Sequence, residues 1–307
     1  MASHPGCSRA ARRRLGQVVV QAAAGTCLAA AAGAELPAGW SVHTFTGRIH
    51  EITTGGGLLA CATDGGLVFF DPARRQYAPT LADAGCADGN CLTSNRLTSV
   101  VRDAGGNYWM GTESNGAVVF RPLGTSRRYD RFFATSTRPG GGLLADSVTC
   151  IDAWRDASVY VGTSRGVAQI DRAGGVDTYD PDASRRLGAH LKGTVLHDLV
   201  ADSLFVWVAT DSGVSRYRRQ PPFTVEFLPD SLTPRETFTL LRAPGTLMAG
   251  TAVGVFRWQA ASHSWQRVRN ANDTDPQNPT TPSFTVRSLA RLADGRLFAG
   301  CDNSVQY

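Results

Sequence analysis

Long apolar runs are scarce in this chain, and their scarcity limits where the protein can reside. Beyond residue 34 no stretch approaches the ~20 uninterrupted apolar residues that a membrane-spanning helix needs. Residues 1–34 have the order of a secretory signal peptide, because four arginines precede an Ala/Val/Leu-rich run that ends in Ala32-Gly33-Ala34. We therefore expect an exported protein, periplasmic or extracellular, whose mature part, residues 35–307, does not insert into a membrane.

The mature part also has no large excess of either basic or acidic residues. The full chain has 31 Lys and Arg against 26 Asp and Glu, and removal of the four signal-peptide arginines leaves 27 against 26. Proteins that bind nucleic acid present a sustained basic patch on the folded domain. The composition thus predicts no nucleic-acid partner.

Motifs of the common catalytic sites are absent. The sequence contains no GxSxG, no HExxH, no P-loop and no CxxC pair. We expect no catalytic residue of these classes and no resident cofactor.

Cysteine is rare, and the mature part contains an odd number of them. Cys86 and Cys91 lie close together in the loop-like stretch GCADGNC, and we predict that they form a disulfide. Cys61, Cys150 and Cys301 fall inside apolar strand patterns, where a free cysteine acts as a small core hydrophobe.

The chain does contain a repeat. Six segments share a short pattern in which Ala or Gly precedes Thr or Cys and a turn follows; they are LLACATDGGLVFFDP, YWMGTESNGAVVFRP, VYVGTSRGVAQIDR, VWVATDSGVSRYRR, LMAGTAVGVFRWQ and LFAGCDNSVQY. Successive copies lie 49, 51, 47, 41 and 50 residues apart. An apolar segment and a Gly- or Asp-containing turn precede each copy, and an aromatic segment follows all but the last.

Four antiparallel strands repeated at this interval are typical of a propeller blade. The sequence therefore predicts an all-β fold, a six-bladed β-propeller that forms a single domain over residues 35–307 and is a monomer. The last copy ends after its third strand, whereas residues 40–45 offer one unassigned aromatic strand. We expect that strand to complete the last blade and close the ring, which would remove an exposed sheet edge.

The second copy resembles a known repeat. SNRLTSVVRDAGGNYWMGTESNGAVVFRP, from Ser94 onward, is similar to the two-component-regulator propeller repeat at Ser94, Asn95, Asp103, Gly106, Asn107, Trp109, Gly111, Thr112 and Gly116. The resemblance implies a periplasmic or secreted ligand-sensing propeller. The chain has no kinase domain and no DNA-binding region, so signalling would require a membrane sensor or transport partner.

Loop lengths indicate which face of the propeller binds a ligand. The connections from one blade to the next are long, and they share a face with the turns between the second and third strands. Gly111 and Thr112 are expected to be structural. Charged residues on the loops and turns of that face are the expected ligand contacts: Arg48, Asp64, Arg96, Glu113, Asp146, Arg165, Lys192, Asp211, Arg235, Glu236 and Asp302.

Two functions from different classes remain open. One is a binding module that recognises a polysaccharide or a protein partner through this face. The alternative is a metal-dependent propeller enzyme of the lyase or lactonase type, acting at the mouth of the channel with a divalent metal held by His50, Glu51, His197 and Asp198. Neighbouring residues of a strand point to opposite faces, so each histidine and its acid cannot both be aimed at one ion.

Overall fold

The structure is a computed structural model, and it describes residues 48–82, 90–123, 126–135, 141–179, 193, 195–220, 225–227, 236–268, 285–291, 295–302 and 304–306. The predicted signal peptide, the expected closing strand at 40–45, Cys86, Lys192 and Arg235 lie outside these residues. Among the described residues the regular elements are all β-strands, as the β-branched and aromatic repeats predict.

The strands form antiparallel sheets in which each strand pairs with the next one along the chain. The first sheet contains β1 (Ile49–Gly55), β2 (Leu58–Thr63), β3 (Gly66–Asp71) and β4 (Gln76–Leu81). The second contains β5 (Leu97–Arg102), β6 (Tyr108–Thr112), β7 (Ala117–Leu123) and β8 (Ser126–Phe132). The third contains β9 (Val148–Ala153), β10 (Val159–Thr163), β11 (Gly166–Ile170) and β12 (Val176–Tyr179).

The remaining sheets follow the same order. The fourth contains β13 (Leu196–Ala201), β14 (Phe205–Thr210), β15 (Gly213–Arg218) and β16 (Val225–Phe227). The fifth contains β17 (Thr237–Ala243), β18 (Thr246–Thr251), β19 (Gly254–Gln259) and β20 (Ser264–Arg267). Within the described residues the sixth has three strands, β21 (Val286–Arg291), β22 (Leu297–Cys301) and β23 (Ser304–Gln306).

The sheets are arranged as consecutive propeller blades. The first strand of each blade, which we call its inner strand, packs on the inner strand of the next, in the order β1, β5, β9, β13, β17 and β21. A separate apolar cluster fills each of the interfaces between consecutive blades. Within the described residues β21 and β1 do not pack on each other in this way.

Threonine fixes the turn between the second and third strands. The hydroxyl of Thr112 donates to the carbonyl oxygen of Gly116 at 2.7 Å and accepts from the N–H of Asn115 at 2.9 Å. Equivalent hydroxyl bonds are made by Thr63, Thr163, Thr210 and Thr251. Gly116 has a φ of 72°, a conformation that a side chain disfavours. The repeated threonine is thus structural, as the sequence predicted, and the glycine after the turn is structural as well.

Aspartate fixes the turn between the first and second strands. Buried Asp103 accepts from the N–H of Asn107 at 2.9 Å and from the indole N–H of Trp109 at 2.9 Å. Asp202 likewise accepts from the indole N–H of Trp207 at 2.6 Å. These bonds explain why an aspartate precedes the tryptophan in both blades, because a buried indole N–H needs an acceptor.

Candidate ligand-binding face

The fold gives the propeller two different faces. We call the face that carries the connections between blades and the turns between second and third strands the loop face. The face that carries the turns between first and second and between third and fourth strands is the turn face. Both follow from the antiparallel order of strands in each blade.

Every inner strand begins at the loop face with an irregularity of the same register. Pairing with the second strand skips one residue in each blade, and these bulged residues are His50, Thr98, Thr149, His197, Phe238 and Arg287. A β-bulge re-aims the side chain of the extra residue and is frequent beside binding sites. The six bulges therefore place one re-aimed side chain per inner strand at the loop face, and we call this set the bulge rim.

Several rim residues pair with carboxylates of the neighbouring turns. His50 Nε2 lies 2.8 Å from Asp64 Oδ1, and Arg287 Nε donates to Asp302 Oδ1 at 2.8 Å. The hydrogen bond from His50 holds the pKa of Asp64 below its ordinary value. Arg96 and Glu113, which flank the rim in the second blade, form a further ion pair at 2.7 Å.

Three rim residues from consecutive blades form a row. The imidazole of His197 packs on the ring of Phe238, with centroids 5.2 Å apart. The guanidinium of Arg287 lies over the same ring, with Cζ 4.0 Å from its centroid. His197 Nε2 is also 3.2 Å from Glu236 Oε1. The row thus links the fourth, fifth and sixth blades through an aromatic side chain between two cation-forming groups.

The structure places most of the predicted contacts on the loop face. The backbone N–H groups of Asp64 and Glu113 donate to the carbonyl oxygens of Arg48 and Arg96, which brings each turn beside the start of its own inner strand. Arg165 is exposed at the equivalent turn of the third blade. Asp146 and Asp211 instead accept backbone N–H groups, from Ala134 at 2.7 Å and Val195 at 3.3 Å, so their carboxylates hold the loops.

Directly after the bulges, each inner strand contributes one polar residue to the interfaces between blades, and we call this set the polar ring. Its members, in blade order, are Glu51, Ser99, Cys150, Asp198, Thr239 and Ser288. The two carboxylates lie opposite alanines, Ala62 and Ala209, whereas the four smaller side chains lie opposite glycines. A Cβ at Gly111 would lie 2.6 Å from Ser99 Oγ, so glycine provides the space into which the small ring residue folds.

The carboxylates of the ring bind backbone N–H groups of the next blade. Glu51 accepts from Val100 at 2.9 Å, and Asp198 accepts from Leu240 at 2.7 Å. Two residues further along β9, Asp152 accepts from Ala201 at 2.8 Å and from Arg242 at 2.9 Å. Burial raises the pKa of Asp198 to about 7 and the pKa of Glu51 well above its ordinary value, and repulsion between these two carboxylates adds to the rise at Glu51.

The four residues predicted for a metal site are separated by their contacts. His50 bonds to Asp64 and His197 lies beside Glu236 at the bulge rim, whereas Glu51 and Asp198 accept backbone N–H groups of the next inner strand. In the part of the chain that the structure describes, no group of three or more His, Cys, Asp or Glu side chains is arranged to hold a metal ion. These residues therefore do not fit a divalent metal as one set of ligands.

Sequence reasoning missed part of the site. Four members of the bulge rim, Thr98, Thr149, Phe238 and Arg287, were not predicted to contact a ligand. Asp152 was missed as well. A hydrophobic pattern does not reveal a bulge, although alignment of the six inner strands on the glycine or alanine that follows would have placed these four residues at the position of His50.

The described cysteines agree with their predicted roles. Cys61, Cys150 and Cys301 are buried free thiols, as predicted. Cys91 is disulfide-bonded, and Cys86, its predicted partner, lies outside the described residues. Among the described residues no helix is long and apolar enough to cross a bilayer.

Comparison with known proteins identifies the class of the fold. No protein-family model and no curated protein matches the chain. Among solved structures, the virginiamycin B lyase of Staphylococcus aureus is similar over 82% of this chain and 76% of its own, with 9% identity and a TM-score of 0.56. The chain is a β-propeller.

Within that class, two further solved structures share the fold, an extracellular domain of a two-component system and a bacterial surface protein. The extracellular domain of a hybrid two-component system from B. thetaiotaomicron is similar over 84% of this chain, with 19% identity and a TM-score of 0.64. PorZ, a surface component of the type-IX secretion system of Porphyromonas gingivalis, matches over 84% with 15% identity and a TM-score of 0.60. The chain spans 33% and 38% of these two proteins. The resemblance to two-component-regulator propellers is confirmed at the level of the fold.

Proposed function

We propose that the protein is an exported, sensor-like propeller that binds a polysaccharide or a protein partner through its loop face. The observation that carries the proposal is the bulge rim, since every inner strand re-aims one side chain at the same height of the channel mouth. A rigid scaffold that presents loops and turns beside such a rim is the usual arrangement of a binding site.

The chemistry of the rim suits a polar ligand. Its imidazole and guanidinium groups are hydrogen-bond donors, and Asp64, Glu113 and Asp302 supply acceptors beside them. Of the predicted contacts, we propose Arg48, Arg96, Arg165 and Glu236 as additional members of this face. Lys192 and Arg235 remain part of the proposal as residues outside the described part of the chain.

The extracellular sensor domains with the same fold support export of this chain. We further propose that residues 35–307 form one monomeric six-bladed ring closed by the strand at 40–45. Removal of residues 35–47 should then lower the midpoint of thermal unfolding and promote aggregation, because the three-stranded last blade would keep an open edge.

The binding test is thermal unfolding of the mature protein with a panel of plant and bacterial glycans. A ligand at a hundredfold excess over its Kd stabilises the native state by about 2.7 kcal/mol. A glycan that raises the midpoint should lose this effect in Arg287→Ala and Phe238→Ala. Arg257→Ala, on β19 of the fifth blade, is the matched control, and the glycan should still raise its midpoint. A shift that persists in both rim variants would place the ligand elsewhere, and no shift with any glycan would leave a protein partner.

A further inference from the structure

The turn face has a charge imbalance that the composition of the whole chain conceals. Its described acidic residues are committed to local structure. Asp71, Asp103 and Asp202 each accept backbone N–H groups of their own turns. Asp171 accepts the N–H of Gly175 in the same way. These carboxylates therefore hold turns, and that of Asp71 also pairs with Arg74 of its own turn.

Two further acids of this face, on the third blade, neutralise arginines of the fourth and fifth blades. Asp156 pairs with Arg219, and Asp152 pairs with Arg242 at 2.9 Å. Asp152 is buried, and burial raises its pKa. Neither carboxylate is left over for the remaining cations of the face.

Five arginines of the turn face make no ion pair with any described residue: Arg75, Arg102, Arg155, Arg172 and Arg291. Arg102 and Arg291 occupy the same register of their inner strands, four residues after the bulge, and thus lie at equal height around the channel exit. The Nε of Arg102 is buried and has no hydrogen-bond partner. Arg75, Arg155, Arg172 and Arg291 are exposed.

Around the channel exit the guanidinium groups are ordered by aromatic rings. Arg155, Arg219 and Arg242 lie within 5.7 Å of the centroid of Trp154, and Arg102 lies 5.9 Å from that of Tyr108. Stacking restricts a guanidinium without neutralising it. Of the unpaired arginines, Arg102 and Arg155 are thus presented in restricted positions, which lowers the entropic cost of binding through these two side chains.

We propose that the turn face is a second binding surface, which takes an acidic polysaccharide. The fork of N–H donors on arginine matches the oxygens of carboxylate and sulfate groups. Acidic sugars repeat along such a chain, and the unpaired arginines come from the first, second, third and sixth blades, so a polymer can engage several at once.

An anionic bilayer is a poorer match for this surface. Binding at a membrane surface combines basic residues with inserted apolar side chains. Among the described residues, the large exposed apolar side chains on the turn face are Leu204 and Tyr77, on different blades. The surface thus offers charge without an apolar cluster.

The proposal of an acidic polysaccharide at the turn face does not depend on the proposed ligand of the loop face.

The test measures binding of the mature protein to dextran sulfate and to polygalacturonate at about 0.15 M ionic strength, with uncharged dextran as the control polymer. Charge reversal in Arg155→Glu/Arg291→Glu should weaken binding to an acidic polymer about tenfold or more. The matched variant Arg257→Glu/Arg267→Glu changes the net charge equally on the outer strands of the fifth blade and should bind within about twofold of the parent. Circular dichroism and thermal unfolding establish that both variants are folded.

Three results would overturn the proposal. The first is that neither acidic polymer binds. The second is that both double variants weaken binding equally, which would indicate a response to net charge alone. The third is that anionic phosphatidylglycerol vesicles or duplex DNA bind more tightly than both polysaccharides. Because Arg287 and Phe238 are unchanged in these variants, failure here leaves the loop-face proposal untouched. Loss of a loop-face ligand in Arg287→Ala likewise leaves this proposal untouched.

Discussion

Asp198 on the inner strand of the fourth blade accepts the backbone N–H of Leu240, on the inner strand of the fifth, at 2.7 Å. It also accepts the N–H of Leu199 at 2.7 Å, and its carboxylate is buried. The bond therefore joins two blades at the channel wall through a group that titrates near neutral pH. We therefore expect the stability of the propeller to depend on pH.

Asp198→Asn should change that dependence. Burial raises the pKa of Asp198 to about 7, whereas an unfolded aspartate titrates at about 3.9. The stabilisation from its protonated form is fully present below pH ~4 and is lost as the pH rises through ~7. Asparagine does not titrate, so the variant should gain stability relative to the parent between pH ~4 and ~8, by about 1.4 kcal/mol per unit of pKa shift at most.

Urea unfolding at several pH values in this range measures the difference. Asp71→Asn is the control, because hydrogen bonds from the backbone and side chain of Arg74 hold the pKa of Asp71 below its ordinary value. Asp71→Asn should affect the free energy of unfolding in the opposite sense to Asp198→Asn. The stabilisation that the Asp71 carboxylate contributes is present above pH ~4 and is lost as the pH falls below it. A difference between parent and Asp198→Asn that is constant with pH would show that Asp198 titrates as in the unfolded chain.

Gly162→Ala should destabilise the third blade by about 1–3 kcal/mol. A Cβ at this position would collide with Cys150 Sγ and approach Leu199 Cδ2 at 3.2 Å. The first and fourth blades already have Ala62 and Ala209 there, opposite Glu51 and Asp198, so the backbone itself accepts alanine.

The double variant Cys150→Ala/Gly162→Ala tests the cause. Removal of the sulfur should restore much of the stability lost in Gly162→Ala, which a double-mutant cycle measures as a coupling between the two sites. If the double variant is no more stable than the sum of the single changes predicts, the glycine is required for a reason other than the space occupied by Cys150.

The repeat could reveal the blades because its signals are local. Thr112 and Gly116 fix a turn within one strand pair, and Asp103 and Trp109 fix another, so residues a few positions apart carry the information. The bulge rim and the seam carboxylates depend on contacts between blades about fifty residues apart, such as Glu51 with Val100. A single sequence shows that Glu51 and Asp198 occupy equivalent positions, yet it does not show that their oxygens bind the next inner strand.

Arg242→Met should cost about 1–3 kcal/mol of stability, although its side chain is partly exposed. The guanidinium donates to Asp152 on β9 and to the carbonyl oxygen of Ala201 on β13, so it connects the third, fourth and fifth blades. Its removal leaves the buried carboxylate of Asp152 without a counter-charge, and this residual charge is the main cost.

Asp152→Asn/Arg242→Met isolates that cost. The amide removes the uncompensated charge and keeps an oxygen that can accept the N–H of Ala201, so the double variant should be more stable than Arg242→Met alone. Denaturant unfolding of the parent, both single variants and the double variant gives the coupling energy. Equal stability of Arg242→Met and the double variant would mean that the cost arises from lost packing on Trp154.

Thiol titration should distinguish the paired from the free cysteines. Burial raises the pKa of Cys61 to about 11 and the pKa of Cys150 well above its ordinary value, so few thiolates are present at neutral pH. The native mature protein should therefore react slowly with a disulfide reagent.

Unfolding without reductant should expose three thiols, from Cys61, Cys150 and Cys301. Unfolding after reduction should expose five, because Cys86 and Cys91 are then released. Five thiols without reductant would show that the loop is not covalently pinned. Three thiols in both conditions would place Cys91 in a bond that resists reduction. One thiol without reductant would mean that the protein contains two disulfides, so that two of the three blade cysteines are also paired.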